Sequence, residues 1–249
     1  ANGNFTGTIA DKATGMAKST PGAPTGLSGS APTTYGGNDG KITGVDNTME
    51  YSSSSEFTAA TTCTGTEITG LAAGTYYVRV KETANTNASA ATTVAVPEAG
   101  KENFNIKISN YSEAYDGQPH GITLTGVPEG ATVKYGEAEG TYDKDSLTYT
   151  DCTNSAKTVY VKVTKDGYND FISSGTVTIS PKDITGATVG KFAALTYSGS
   201  AQTPSATVTI ESLTVTGTWS SVTNVADKTT FTANGNFTGT IADKATGMA

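Results

Sequence analysis

Thr158-Val159-Tyr160-Val161-Lys162-Val163 alternates polar and apolar residues with a period of two, and Thr176-Val177-Thr178-Ile179 repeats the pattern a few residues later. Successive side chains of an extended strand point to opposite faces, so this period marks a strand with one buried face. The signature recurs at 76–80, 92–96, 122–124, 206–210 and 213–216, each run bounded by residues such as Gly, Asn and Asp. Short alternating strands at regular spacing predict antiparallel β-sandwiches. No window carries the 3.6-residue period of an amphipathic helix. The expected class is therefore all-β, with small sandwiches in tandem.

The composition agrees. Gly numbers 29 of 249 residues, Val, Ile, Thr and Tyr are abundant, and only 16% of residues are charged. These residue types suit strands joined by tight turns. The net charge is −7, and Arg79 is the single arginine among sixteen basic residues. Nucleic-acid binding needs clustered Lys and Arg, so it is excluded as a function class. An acidic surface is also unsuited to anionic membranes, and no apolar run approaches 18 residues, so no membrane insertion is expected. Cys63 and Cys152 are the only cysteines. They are read as two free, partly buried thiols in different domains; the alternative, an interdomain disulfide, would need the two Cα atoms within about 7 Å.

Residues 1–17, ANGNFTGTIADKATGMA, return unchanged as residues 233–249, an offset of 232 positions. Shared fold alone does not preserve every residue over such a length. The expected arrangement is a window of a tandem array, with one period from Ala1 to Thr232 and the start of the next copy behind it. Pro- and Gly-bearing stretches at 18–26, 97–100 and 180–182 then divide the chain. The predicted pieces are 1–17, terminal strands of a preceding repeat; 24–97, a first sandwich; 101–181, a second; and 182–249, a third. Thr48-Met49-Glu50-Tyr51-Ser52 compares with Thr132-Val133-Lys134-Tyr135-Gly136. Each stretch precedes a Cys-Thr pair and then a Tyr-Val-basic-Val run, at 77–80 and 160–163. One sandwich plan is expected to recur in three variants.

Particular motifs carry family resemblances. Residues 36–78, with GGNDGKITG and EITGLAAGTYYV, resemble the repeats of gliding-motility adhesins (SprB type). Residues 106–180, with YDGQPHGITLTG, ATVKYG, KTVYVKVTKDGY and GTVTIS, resemble the YDG domain of bacterial surface proteins, and 182–249, with LTYSGSAQTP and GNFTGTI, resemble the related MBG domain. The first segment lacks the aromatic-rich centre usual in gliding-adhesin repeats. The resemblances imply immunoglobulin-like sandwiches strung in an elongated array along large secreted or surface-anchored bacterial proteins, often adhesins. They supply no catalytic motif.

The residues themselves supply none either. His120 is the only histidine, which removes HExxH zinc sites and any Ser-His or Cys-His pair. Gly186 to Lys191 is one residue short of a phosphate loop, and Phe192 stands where Ser or Thr is required. Two acidic loops, Glu137, Glu139, Asp143 and Asp145 in one and Asn38, Asp39 and Asp46 in the other, have the oxygen ligands calcium prefers. Solvated turn carboxylates are the commoner explanation of both. Trp219 and exposed tyrosines are candidates for stacking on sugar rings, although core packing is the usual duty of a lone Trp. Asn4, Asn87, Asn110 and Asn236 each open an Asn-X-Ser/Thr triplet. An isopeptide bond would need a lysine, an asparagine and an acid at one spot, which sequence alone does not place.

No catalytic, cofactor-binding or metal-binding set is therefore assigned, and no cofactor is expected. The leading expectation is a non-enzymatic stalk or spacer at an extracellular, cell-surface or cell-wall location, with neighbouring repeats of the same polypeptide as partners. Two alternatives stand beside it. One is an adhesive module for a host or surface glycan or protein. The other is a filament subunit joined by exchange of the duplicated end strand.

Overall fold

The computed structural model describes Gly3 and residues 15–249, which contain twenty-one strands and no helix. Residues 1–102 and 103–249 form two compact units. The sequence expectation for 1–17 falls almost wholly outside the described residues.

The first unit holds β1 (Ser28–Ser30), β2 (Gly40–Thr43), β3 (Met49–Ser52), β4 (Thr61–Thr62), β5 (Glu67–Leu71), β6 (Gly74–Val80) and β7 (Thr92–Val96). One sheet runs β1-β2-β5 and the other β4-β3-β6-β7, all neighbours antiparallel. First, second and fifth strands thus face third, sixth and seventh, the partition of an immunoglobulin-like sandwich, with the fourth added at the outer edge of the third. The period-two pattern explains the core: Ile42, Val78, Val94 and Val96 point inward with Val45, Cys63, Ile68 and Leu71. Sheet and strand approach closely at Gly29, where a Cβ would lie 2.0 Å from the carbonyl oxygen of Ala95. Only glycine fits there.

The second unit contains two sandwiches. The earlier is built from β8 (Lys107–Ser109), β9 (Tyr111–Ala114), β10 (Thr123–Thr125), β11 (Thr132–Gly136), β12 (Lys157–Thr164) and β13 (Phe171–Ser180). A small β10-β8 sheet faces a four-stranded sheet of order β11-β12-β13-β9. Val159, Val161, Val163 and Val177 are fully buried between them, so the alternating 158–163 run lies at the centre of this core. The later sandwich is built from β14 (Lys182–Asp183), β15 (Thr188–Val189), β16 (Val208–Ile210), β17 (Leu213–Thr214), β18 (Gly217–Trp219), β19 (Lys228–Ala233), β20 (Phe237–Thr238) and β21 (Thr240–Ala245). Its core is aromatic where the others are aliphatic: Trp219, Phe231 and Phe237 with Ile184, Val208 and Val215. A bulge between Thr229 and Phe231 sets the β19–β21 register.

Both sandwiches of this unit pair an early strand with a late one in parallel. Tyr111 to Ala114 lie beside Val177 to Ser180, and Lys182–Asp183 beside Phe237–Thr238. A single residue, Pro181, separates β13 from β14.

Candidate functional site

A polar and aromatic arrangement lies where the two sandwiches of the second unit meet, built in part from the stretch 115–121 that follows β9. The Tyr115 N–H donates to the Ser180 carbonyl at 2.9 Å, prolonging the β9–β13 ladder by one bond. Its ring then packs into both cores and meets Phe237 edge-on, centroids 5.4 Å apart at 80°. Asp116 closes an Asx turn by accepting from the Gln118 N–H at 2.8 Å, and its Oδ1 also lies 2.8 Å from His120 Nε2. These bonds, the His120 contact first, hold the Asp116 carboxyl below the usual carboxylate range. Gly117 has φ +79, and a Cβ there would lie 2.9 Å from Leu213 Cδ2 of the later sandwich. The turn thus needs glycine for conformation and for contact.

His120 stacks flat on Tyr111, centroids 3.9 Å apart and rings 10° from parallel, while its backbone exchanges two 2.8 Å bonds with Tyr149. Burial, followed by the charges of Asp116 and Glu113, pushes the Tyr111 hydroxyl above its ordinary range. The histidine therefore finishes a turn. Its ring rests on the face of Tyr111 and against the Asp116 carboxylate.

Across the junction Asn236 bonds in two directions. Its Oδ1 accepts from the Cys152 N–H at 2.7 Å and its Nδ2 donates to Asp151 Oδ1 at 2.8 Å. The Asn236 carbonyl accepts from the Lys182 N–H at 2.9 Å, and the Thr238 carbonyl from the Ile184 N–H at 3.0 Å. Lys182 Nζ adds an ion pair to Glu211 at 3.1 Å. This arrangement orients one sandwich on the other.

The remaining sequence candidates are separated by the fold. Asp39 accepts from the backbone and hydroxyl of Thr33, and Asp46 from those of Thr48, and these bonds lower both carboxyls. Asp145 pairs with Lys134 and Asp143 with Lys144, while Glu137 and Glu139 are exposed. Among the described residues, no three His, Cys, Asp or Glu side chains gather as metal ligands. The 186–191 stretch spends its amides on its sheet, Gly190 donating to the Thr207 carbonyl at 2.8 Å. Trp219 is 8% exposed; its Nε1 donates to the Ala206 carbonyl and its ring meets Phe192 and Phe231. It is a core residue, unavailable to a sugar.

Three asparagine candidates are engaged through their amides: Asn87 with Thr20, Asn110 with the Thr176 N–H, and Asn236 as above. Asn4 lies outside the described residues. Both cysteines are free thiols, Cys63 buried and Cys152 half-buried, and burial pushes both upward in pKa. Sequence alone gives Tyr115, Gly117 and Asn236 no place at this junction; the motifs that hold them, YDGQPHGITLTG and GNFTGTI, are the available signal.

No family model and no curated protein matches the chain. Two solved structures of tandem immunoglobulin domains are similar in outline. One, a three-domain fragment of titin, is 10% identical, with 93% of this chain and 95% of that one covered at a TM-score of 0.32. The other, immunoglobulin domains 1–5 of Sidekick-1, is 12% identical, with 91% and 58% covered at a TM-score of 0.24. The immunoglobulin-like assignment here rests on the strand order of the molecule itself. Among the described residues no helix is long and apolar enough to cross a membrane.

Proposed function

We propose that this chain is a structural stalk or spacer segment of a large outward-facing bacterial protein of the adhesin type, acting without catalysis and partnered by neighbouring repeats of its own polypeptide. The motifs at 36–78, 106–180 and 182–249 support the bacterial surface setting by resemblance. The observation that carries the mechanical part is the parallel pairing of early and late strands, β9 with β13 and β14 with β20. Tension enters a sandwich from its N-terminal side and leaves from its C-terminal side. Parallel neighbours pulled this way slide along each other. Their hydrogen bonds then bear load together, whereas bonds in a peeled edge break one at a time.

Single-molecule stretching of the 249-residue chain tests this. Tyr115 donates to Ser180, and ladder bonds recur every second residue, so the exposed Glu113 presents its N–H to β13 as well. Proline at 113 deletes that donor. Glu113→Pro is expected to lower the force of one rupture event and leave the others in place. Unchanged rupture forces would remove the mechanical reading.

A further inference from the structure

We propose that a cleft beside the start of β12, in the earlier sandwich of the second unit, binds a neutral saccharide through Tyr160, Tyr149, Glu137 and Lys157. The cleft holds about 530 Å³, within the roughly 300–1,000 Å³ of small-molecule sites. Ser155 and Thr158 complete its polar wall. The fold prepares the site from its strands outward. Val159 and Val161 are fully buried, so Tyr160 between them projects away from the core. Its cross-strand neighbours are Gly136 on β11 and Ser174 on β13, which have little bulk to cover its ring. The chain folds back over Gly136, where a Cβ would lie 1.6 Å from the Thr141 carbonyl oxygen. Tyr160 is half-buried despite facing outward, and Glu137, next after Gly136, lines the same cleft.

The polar groups of this cleft are unspent. Among the described residues, the side chains of these six make no hydrogen bond or ion pair. Lys134 and Lys162 of the same sheet, by contrast, pair with Asp145 and Asp170. A carboxylate and an ammonium therefore stand at one cleft without engaging each other. Burial, followed by the Glu137 charge, pushes the Tyr149 hydroxyl above its ordinary range, so it stays protonated and able to donate.

A sugar ring matches this set. Its faces carry C–H groups that suit a tyrosine ring, and its rim carries hydroxyls that both donate and accept. The rim meets a carboxylate acceptor, an ammonium donor and neutral hydroxyls, and the two charged groups make the stronger bonds. An anion would face Glu137 on a chain of net charge −7. An apolar ligand would leave the polar wall without partners. The site does not depend on strands bearing load, so its test and the stretching test fail separately.

The test titrates the isotope-labelled full chain by NMR with maltose, cellobiose, lactose and mannobiose. Saturable amide shifts are expected at Glu137, Tyr149 and residues 155–160 with at least one disaccharide. The dissociation constant should be on the order of 1 mM, because the cleft is open to solvent. Tyr160→Ala and Glu137→Gln should each weaken binding by about tenfold, the worth of one aromatic face or one charged hydrogen bond. Glu137 is exposed and Tyr160 faces outward, so exchange protection of the core amides should be unchanged in both. Tyr197→Ala, at an exposed tyrosine of the later sandwich, should leave affinity as it is. The proposal is overturned by a lack of saturation with all four sugars. It is equally overturned by unaltered affinity in Tyr160→Ala/Glu137→Gln, or by tighter binding of acetate or glycine than of any sugar.

Discussion

Strands β3 and β6 of the first unit and β11 and β12 of the second unit make the same crossing with opposite electrostatics. Inward, Tyr51 lies opposite Val78 and Tyr135 opposite Val161. Outward, the neighbouring pair is Glu50 opposite Arg79 in one and Lys134 opposite Lys162 in the other. The first is a direct ion pair at 2.7 Å, with the guanidinium also stacked 3.9 Å over the Phe57 ring. In the second, two like charges share a cross-strand position, which by itself is destabilising. Each lysine turns to a separate carboxylate, Lys134 to Asp145 and Lys162 to Asp170. The inward pair sets the fold in both; the outward pair is free to change as long as its charge is balanced nearby.

If the inward pair is the shared element, truncating it should cost the two units alike. Val78→Ala and Val161→Ala each remove two buried methyl groups from a fully buried site. Each is expected to destabilise its own unit by about 2–3 kcal/mol, combining transfer and cavity costs. Amide hydrogen exchange read by mass spectrometry separates the units, peptide by peptide. A loss felt equally in both units from one substitution would contradict their independence.

The outward pair should break asymmetrically. Glu50→Lys gives the first sandwich the like-charge pair of the second without Asp145 and Asp170 to balance it. The Arg79 and Glu50 side chains are 29% and 16% exposed, so the pair is only partly screened by solvent. The expected cost is about 1–2 kcal/mol, between values for exposed and buried pairs. Stability should recover partly as salt is raised, because screening weakens repulsion. A cost that grows with salt would point to lost packing over Phe57 as the cause.

Much of this was legible in residues and some was not. Val159, Val161 and Val163 announce an inward face by spacing alone, and the strand Lys157–Thr164 follows. The correspondence of 48–52 with 132–136 is present in the sequence too, and both stretches become the strand that crosses the Tyr-Val-basic-Val run. The parallel pairings were invisible, because alternation fixes which face is buried and says nothing of which strand lies alongside. The two-residue strands β4, β14, β15 and β20 are too short to show a period. Asn236 reads as a glycosylation triplet until the fold places Asp151 and Cys152 beside it, 85 and 84 positions away. His120 was likewise recognisable as solitary, but its stack on Tyr111 depends on a tertiary fold-back.

The smallest effect is the most discriminating. Lys134→Glu in the second sandwich creates the charge order of the first, with an acid on the third-strand equivalent opposite a base. It also surrenders the Lys134–Asp145 pair, whose side chains are 40% and 89% exposed. Exposed pairs contribute about 0–1 kcal/mol, and a cross-strand opposite-charge pair contributes a similar amount. The gain and the loss should therefore nearly cancel, leaving the unfolding free energy from denaturant titration within about 0.5 kcal/mol of the parent. Adding Asp145→Lys removes the repulsion between the introduced carboxylate and Asp145, and should tip the balance toward stability. If Lys134→Glu instead costs as much as Glu50→Lys, the outward position is set by packing around its aliphatic stem, and charge balance is not what distinguishes the two sandwiches.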